Sequence, residues 1–389
     1  MKRVKVIYRN YIPLYTTYLS FGAFPKEFKI IIPPVKSYLR KFYPIYKKFG
    51  NNPIISKVVG VAQKVLFSSQ GEKNDADILF YVGMIPEKIP SVPFVIDLEH
   101  PHVLLNAVKP SEEKKREILK VFMNKKCIGI TPTSSAAERT LKKYFGKYYG
   151  KFSKKVKTIL PALPSYVKKY KGQEDYTYFK KNDKKLRFLF VGKEGHRKGL
   201  SEVLAAFDVL SQKYRNIELV VLTDKPQEFN KKYKNNKQIK FFISNFSHHD
   251  VVTKFYLHSD VFVMPTHADT LGIVFMEALS IGLPVVTTRQ FATPEIVTNN
   301  KNGLFVDSPK LFFDKEVITK ARVDKDFTLP RAKEERIVKD LIKKLEYLIK
   351  NPKEIVRMSR NAVKDFQRGG RFSFEKRNSE LLKLFKKAS

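Results

Sequence analysis

Residues 261–288, VFVMPTHADTLGIVFMEALSIGLPVVTT, decide the fold of this chain. Val261–Met264 is a short run of large apolar residues, the pattern of a strand buried on both faces. Pro265–Leu271 is the loop at its carboxyl end. A helix starts near Gly272 and Gly282 stops it. A second strand follows over Leu283–Thr288, with Pro284 at its opening. Strand, helix and strand in so short a span make a crossover unit, which places the two strands parallel.

The alternation extends outward in both directions. Leu186–Val191 (LRFLFV) ends in Gly192, as a buried strand entering a tight turn. Ser201–Tyr214 sets Val203, Leu204, Phe207 and Leu210 at helical spacing. Ile217–Leu222 and Ile239–Ile243 read as strands, and Val251–His258 as a helix. In the first half Val4–Tyr8, Ile78–Tyr81, Pro93–Leu98 and Ile128–Thr131 are strand candidates, and Ser134–Phe145 is a helix with its serine placed as a cap. The polar, strand-poor stretch Pro164–Lys185 separates the halves, and a last helix spans Phe374–Lys387. The expectation is an α/β chain of two Rossmann-like, doubly wound parallel-sheet domains facing across a cleft, residues 1–165 and 186–371, with a linker at 166–185.

Composition narrows the class. At 389 residues the chain is long enough for two cores, and 43% apolar with 13% aromatic residues is a globular composition. The single cysteine, Cys127, excludes a disulfide framework and a cysteine-based metal site, and opens an apolar run that reads as core. Lys2, Arg3 and Lys5 precede no uninterrupted apolar stretch, so no secretory leader is expected. No window approaches the ~18 apolar residues that cross a bilayer. The net charge is +37, and residues 1–171 alone carry 33 basic against 11 acidic side chains. Such a field attracts nucleic acid or an anionic membrane face, or it is a lysine-rich solvated surface. Within it, Lys36–Phe49 (KSYLRKFYPIYKKF) mixes basic and aromatic residues near helical spacing, interrupted by Pro44. It reads either as a segment lying on a membrane or as a core-facing helix.

Three segments carry candidate chemistry. Asp269 and Glu277 bracket a glycine turn, with seven residues between them. The N–H groups of Gly272, Ile273 and Val274 at the helix start suit a diphosphate, and the two carboxylates suit sugar hydroxyls. The plainer reading has Asp269 capping the helix and Glu277 on a solvated face. Gly192-Lys193-Glu194-Gly195-His196-Arg197-Lys198-Gly199 fits neither the P-loop nor the dinucleotide fingerprint. It offers Lys193 and Lys198 to the charge that develops on a leaving diphosphate, or is simply an exposed basic turn. Asp97-Leu98-Glu99-His100-Pro101-His102 ends a strand. Its two histidines have no third partner to complete a metal set, and His100 is better read as a hydrogen-bond donor facing the cleft.

Together these segments resemble the family 4 retaining glycosyltransferases of GT-B fold. That family shows an acidic residue, seven residues and a glutamate, then Ala-x-x-x-Gly-x-Pro-Val-Val; here these are Asp269, Glu277 and ALSIGLPVV. FLFVGKEGHRKGL is similar to its strand, turn and Lys-Gly pair, and TPEIVTNNKNGLFV to its later Asn-Gly segment. FSFEKRNSELLKLF looks like its final helix, which crosses back to the first domain over 372–389. The resemblance implies that Glu277 holds the donor ribose and Asp269 the donor sugar. Lys193 and Lys198 then flank the diphosphate with Gly192 and the amides of Gly272, Ile273 and Val274, and His100 lies near the anomeric centre. Aspartate stands where glutamate is usual at 269, and Lys193 where arginine is usual. The glycine-rich loop after the first strand is missing from Arg9–Gly22.

The function expected is transfer of a sugar, with retention, from a UDP- or GDP-sugar to an acceptor hydroxyl on a glycan or lipid-linked glycan, without a metal or other cofactor. The expected location is cytoplasmic, peripheral to the membrane. A sugar-nucleotide epimerase of the same fold and a degenerate glycan- or donor-binding protein are the alternatives. A nucleic-acid binder lacks any helix-turn-helix, RNP-like or zinc signature.

Overall fold

The structure, a computed structural model, describes residues 2–8, 27–31, 76–105, 111–167, 185–307, 313–314, 317–318 and 331–388. Arg9–Gly22, Lys36–Phe49 and most of Pro164–Lys185 lie outside them. Two compact units are formed, Met1–Pro161 with Phe374–Ser389, and Ala162–Ser373.

The first unit is built on five parallel strands, β1 (Lys2–Tyr8), β2 (Phe28–Ile31), β3 (Ile78–Val82), β4 (Phe94–Leu98) and β5 (Cys127–Pro132), in the order β2-β1-β3-β4-β5. Every residue of β3 is buried, as a central strand covered on both faces must be. Helices α1 (Glu112–Met123) and α2 (Ser135–Phe145) flank β5; Ser134 caps α2 by accepting from the Ala137 N–H. The last helix of the chain, here called αC (Phe374–Phe385), packs Leu381, Leu384 and Phe385 into the core formed by Val4, Val6, Ile78, Phe80 and Val95. Leu384 occupies the space beside Gly129, where a Cβ would come within 2.5 Å of it. Each of these apolar side chains contributes roughly 1.5–3 kcal/mol on burial. Cys127 is a core residue, and burial pushes its thiol up to about 11.

The second unit is a six-stranded parallel sheet, β6 (Leu186–Val191), β7 (Ile217–Thr223), β8 (Ile239–Ile243), β9 (Val261–Met264), β10 (Val285–Thr288) and β11 (Gly303–Val306). Its order is β11-β10-β9-β6-β7-β8. The chain winds outward from β6 to β8, returns to the centre at β9, and winds outward the other way. The order reverses between β6 and β9, so the crevice at their carboxyl ends is the topological switch point. Helices α3 (Leu200–Lys213) and α5 (Ile273–Ser280) follow those two strands, with α4 (Gln227–Tyr233) between β7 and β8.

Two readings need correction. Val251–His258 is not a regular helix: a π turn at Val251–Phe255 passes into a 3₁₀ turn, and the Tyr256 N–H is shared by the carbonyls of Val251 and Val252. β2 and β11 are short strands that apolar-run reading passed over. The helix start near Gly272 holds: Gly272 is the left-handed residue, φ +75°, immediately before Ile273.

Candidate functional site

The switch point is assembled from backbone first. Gly199 has φ +79° and opens α3. A Cβ there would lie 2.4 Å from the Pro265 carbonyl oxygen, so only glycine lets the turn after β6 seat against the loop after β9. The His267 N–H donates to the Arg197 carbonyl at 2.9 Å, and the Arg197 guanidinium donates to the Ala268 carbonyl at 2.7 Å. Glu194 holds a left-handed conformation without being glycine (φ 57°), and its N–H donates to Asp224 at 2.9 Å. Strain of this kind is held in place by such contacts and concentrates at functional sites.

On this frame the Lys198 ammonium meets the Asp269 carboxylate at 2.5 Å, both side chains being mostly buried. The Lys198 stem runs over Gly192, where a Cβ would be 3.2 Å from its Cγ. Sequence reasoning assigned these residues to different parts of one ligand; the structure joins them to each other. Lys193 is exposed on the same turn.

Asp269 does not cap α5, since no side chain caps that helix. The first helical N–H to be used belongs to Phe275, which donates to the Gly272 carbonyl. Among the described residues the N–H groups of Gly272, Ile273 and Val274 have no partner. With the positive end of the helix dipole they form a site for an anion.

Glu277 is 6% exposed, so the solvated-face reading is wrong. His248 Nε2 lies 3.0 Å from its Oε1, and the Tyr256 hydroxyl donates to Oε2 at 3.5 Å. Burial, and then the Glu277 charge, hold the Tyr256 hydroxyl well above its usual pKa, so it stays a donor. The Tyr166 ring stands 5.8 Å from His248. Sequence reasoning missed His248, Tyr256 and Tyr166; the Ser247-x-x-Asp250 spacing, which makes a helix cap, was the only local signal.

His100 lies in the first unit, apart from the other candidates in the chain's division. It is 1% exposed, its Nδ1 accepts from the His102 N–H at 3.0 Å, and its ring packs 6.3 Å from that of Tyr144. An accepting Nδ1 leaves the proton of a neutral ring on Nε2. Nearby, Asp97 accepts from the Thr131 hydroxyl at 2.7 Å. Burial pushes the Asp97 carboxyl up to about 7 against the opposing effects of Thr131 and the buried Arg377 guanidinium of αC. Among the described residues no group of three or more His, Cys, Asp or Glu is arranged to hold a metal.

Residues 174–314 match the family model of the glycosyl transferases group 1. A 2-deoxystreptamine N-acetyl-D-glucosaminyltransferase of Niallia circulans is 28% identical over 122 residues, 31% of each chain. An alpha-monoglucosyldiacylglycerol synthase of Acholeplasma laidlawii is 24% identical over 187 residues, 45% of each. Anabaena Alr3699/HepE, solved with UDP and glucose, superposes with a TM-score of 0.59 over all of both chains at 13% identity. The chain spans about a third of the length of the first of these curated relatives. The fold is GT-B, and residues 174–314 resemble the glycosyl transferases group 1.

Proposed function

We propose that the protein transfers a sugar, with retention of configuration, from a nucleoside-diphosphate sugar to an acceptor hydroxyl. The observation that supports this most is the convergence, at one switch point, of the α5 amides, the Lys198–Asp269 pair and the buried Glu277. In this reading Gly272, Ile273 and Val274 donate to the diphosphate, and Lys193 and Lys198 flank it beside Gly192. Glu277 accepts from the ribose hydroxyls while Tyr256 and His248 hold its orientation. Asp269 accepts from a hydroxyl of the donor sugar. As the glycosidic bond breaks, negative charge grows on the leaving diphosphate, and fixed ammonium groups and helix amides lower that barrier without reorganising. The acceptor attacks the face from which the diphosphate departs. His100 is assigned a place near the anomeric centre on family resemblance alone.

UDP-glucose is the first donor to test, because the HepE neighbour was solved with UDP and glucose. A lipid-linked acceptor on the cytoplasmic face of a membrane is supported by the glycolipid-synthase relative and by the basic first half of the chain. No helix of the described residues is long and apolar enough to cross a membrane.

The deciding experiment is calorimetry with UDP, UDP-glucose, GDP, GDP-mannose and ADP on wild type and Glu277→Gln. One nucleotide binding to wild type and losing about tenfold or more in the variant supports the site, since a hydrogen bond to a charged group is worth about 1.5–3 kcal/mol. Equal binding to both proteins removes Glu277 from it. Product analysis with the bound donor then separates transfer from epimerisation.

A further inference from the structure

Besides the Lys198–Asp269 pair, a second link joins the same two segments. Glu202 in the first turn of α3 and His267 in the loop after β9 meet at 2.7 Å, Oε1 to Nε2, with the residues 3% and 1% exposed. Lys198 lies four residues before Glu202, and Asp269 two residues after His267. Among the described residues, Glu202 Oε2 and His267 Nδ1 have no hydrogen-bond partner. A buried polar couple with an atom of each partner left over is less stable than an apolar filling of the same space. Neither residue touches the donor in the reading above. The couple therefore stands without a role, at a cost to the core, on the two segments that carry the Lys198–Asp269 pair.

We propose that Glu202 and His267 are positioning residues, a buried brace that holds the Asp269 loop in register with the Lys198 turn and so sets the contact between Asp269 and the donor sugar. The proposal rests on the donor-site reading. In the structure Lys198 and Asp269 satisfy each other. A diphosphate that draws Lys198 away opens that first link at the moment Asp269 must be in place for the sugar. The second link lies out of solvent and persists. The backbone bond from the His267 N–H to the Arg197 carbonyl ties the loop after β9 to the turn that opens α3.

The sugar contact is separable from nucleotide binding, which gives a readout that general damage does not imitate. The test measures affinities of the full chain for UDP and UDP-glucose, and for GDP and GDP-mannose, in wild type, Glu202→Ala, Glu202→Gln and His267→Leu. Hydrogen exchange of residues 265–271 is followed in parallel. The expected result for Glu202→Ala and His267→Leu is a shift of the nucleotide-sugar to nucleotide affinity ratio by about tenfold against the sugar. Free nucleotide should stay within about twofold of wild type, and loop exchange should be faster. Glu202→Gln keeps an oxygen to accept from Nε2 and should restore both readouts. His267→Leu fills the same space with an apolar side chain, so the link is cut even where Glu202→Ala fails to fold. An unchanged ratio in both cut variants, or equal loss of nucleotide and nucleotide sugar, overturns the brace while leaving the donor site standing. A wild type that binds none of the four overturns the donor-site reading, and the brace's role in sugar contact with it.

Discussion

The contact between Gly199 and Pro265 can be tested by adding one methyl group. Gly199→Ala forces a side-chain-bearing residue to keep φ +79°, which costs about 1–2 kcal/mol. The new Cβ would also lie 2.4 Å from the Pro265 carbonyl oxygen and 2.8 Å from its ring, and neither can swing away as a flexible side chain would. Overpacking of this kind costs about 1–3 kcal/mol. Gly369→Ala is the control: it lies in the same unit at φ +76° with nothing within 4 Å of the added Cβ, so only the conformational cost applies. Alanine's narrower unfolded ensemble returns roughly 0.4–1 kcal/mol in both variants, and this cancels in the difference. Calorimetric melting should therefore place Gly199→Ala about 2–12 °C below Gly369→Ala, at about 2–4 °C per kcal/mol for a domain of this size. With no tryptophan in the chain, far-UV ellipticity is the second probe. Equal melting temperatures would refute the claim that the turn after β6 and the loop after β9 are locked through this contact.

Three other outcomes are expected. Asp269→Asn releases Lys198 from its partner, so affinity for free UDP should rise, by about fivefold if the pair is worth about 1 kcal/mol to Lys198, while turnover is lost. A fall in UDP affinity would mean that Lys198 does not reach the phosphate. Lys198→Met should do the reverse, weakening UDP by about tenfold, as titration calorimetry would register. In the first unit, folded Asp97 keeps its proton to about pH 7, against 3.8 for the free side chain. The folded state thus holds the extra proton between these values, and its stability falls as pH rises through that window. Asp97→Asn should flatten this slope in melts from pH 5 to 8; an unchanged slope would assign it to other groups.

The parts of the fold legible from sequence were those whose pattern has one physical cause. β6, β9 and β10 are apolar runs bounded by glycine or proline, and a strand buried on both faces can take little else. β11 was hidden because only four residues, GLFV, pair with β10, and the first of them, Gly303, belongs to an Asn-Gly pair that reads as loop. The π turn at Val251–Phe255 was hidden because apolar spacing does not distinguish a widened turn from a regular one. Alternating strands and helices announced a doubly wound sheet. The point of reversal between β6 and β9 came from pairing, which no local pattern encodes.

The candidate site divides along the same line. Carboxylate spacing located Asp269 and Glu277, but spacing is silent on what a carboxylate touches. Pairing β6 beside β9 brought Lys198 to Asp269, and packing β8's following turn against α5 brought His248 and Tyr256 to Glu277. One further signal was present in the sequence. Glu202 stands one turn before Ala206 and two before Leu210, on the apolar stripe of α3, where a charge is out of place unless something meets it. A charge on a core stripe predicts a buried partner of opposite or hydrogen-bonding character, though not which one. His267, buried two residues before the Asp269 carboxylate, is that partner, and it was reached only through the fold. A misplaced charge in an amphipathic helix that opens onto a ligand edge is therefore a pointer to the groups supporting the site, just as paired carboxylates point to the groups that line it.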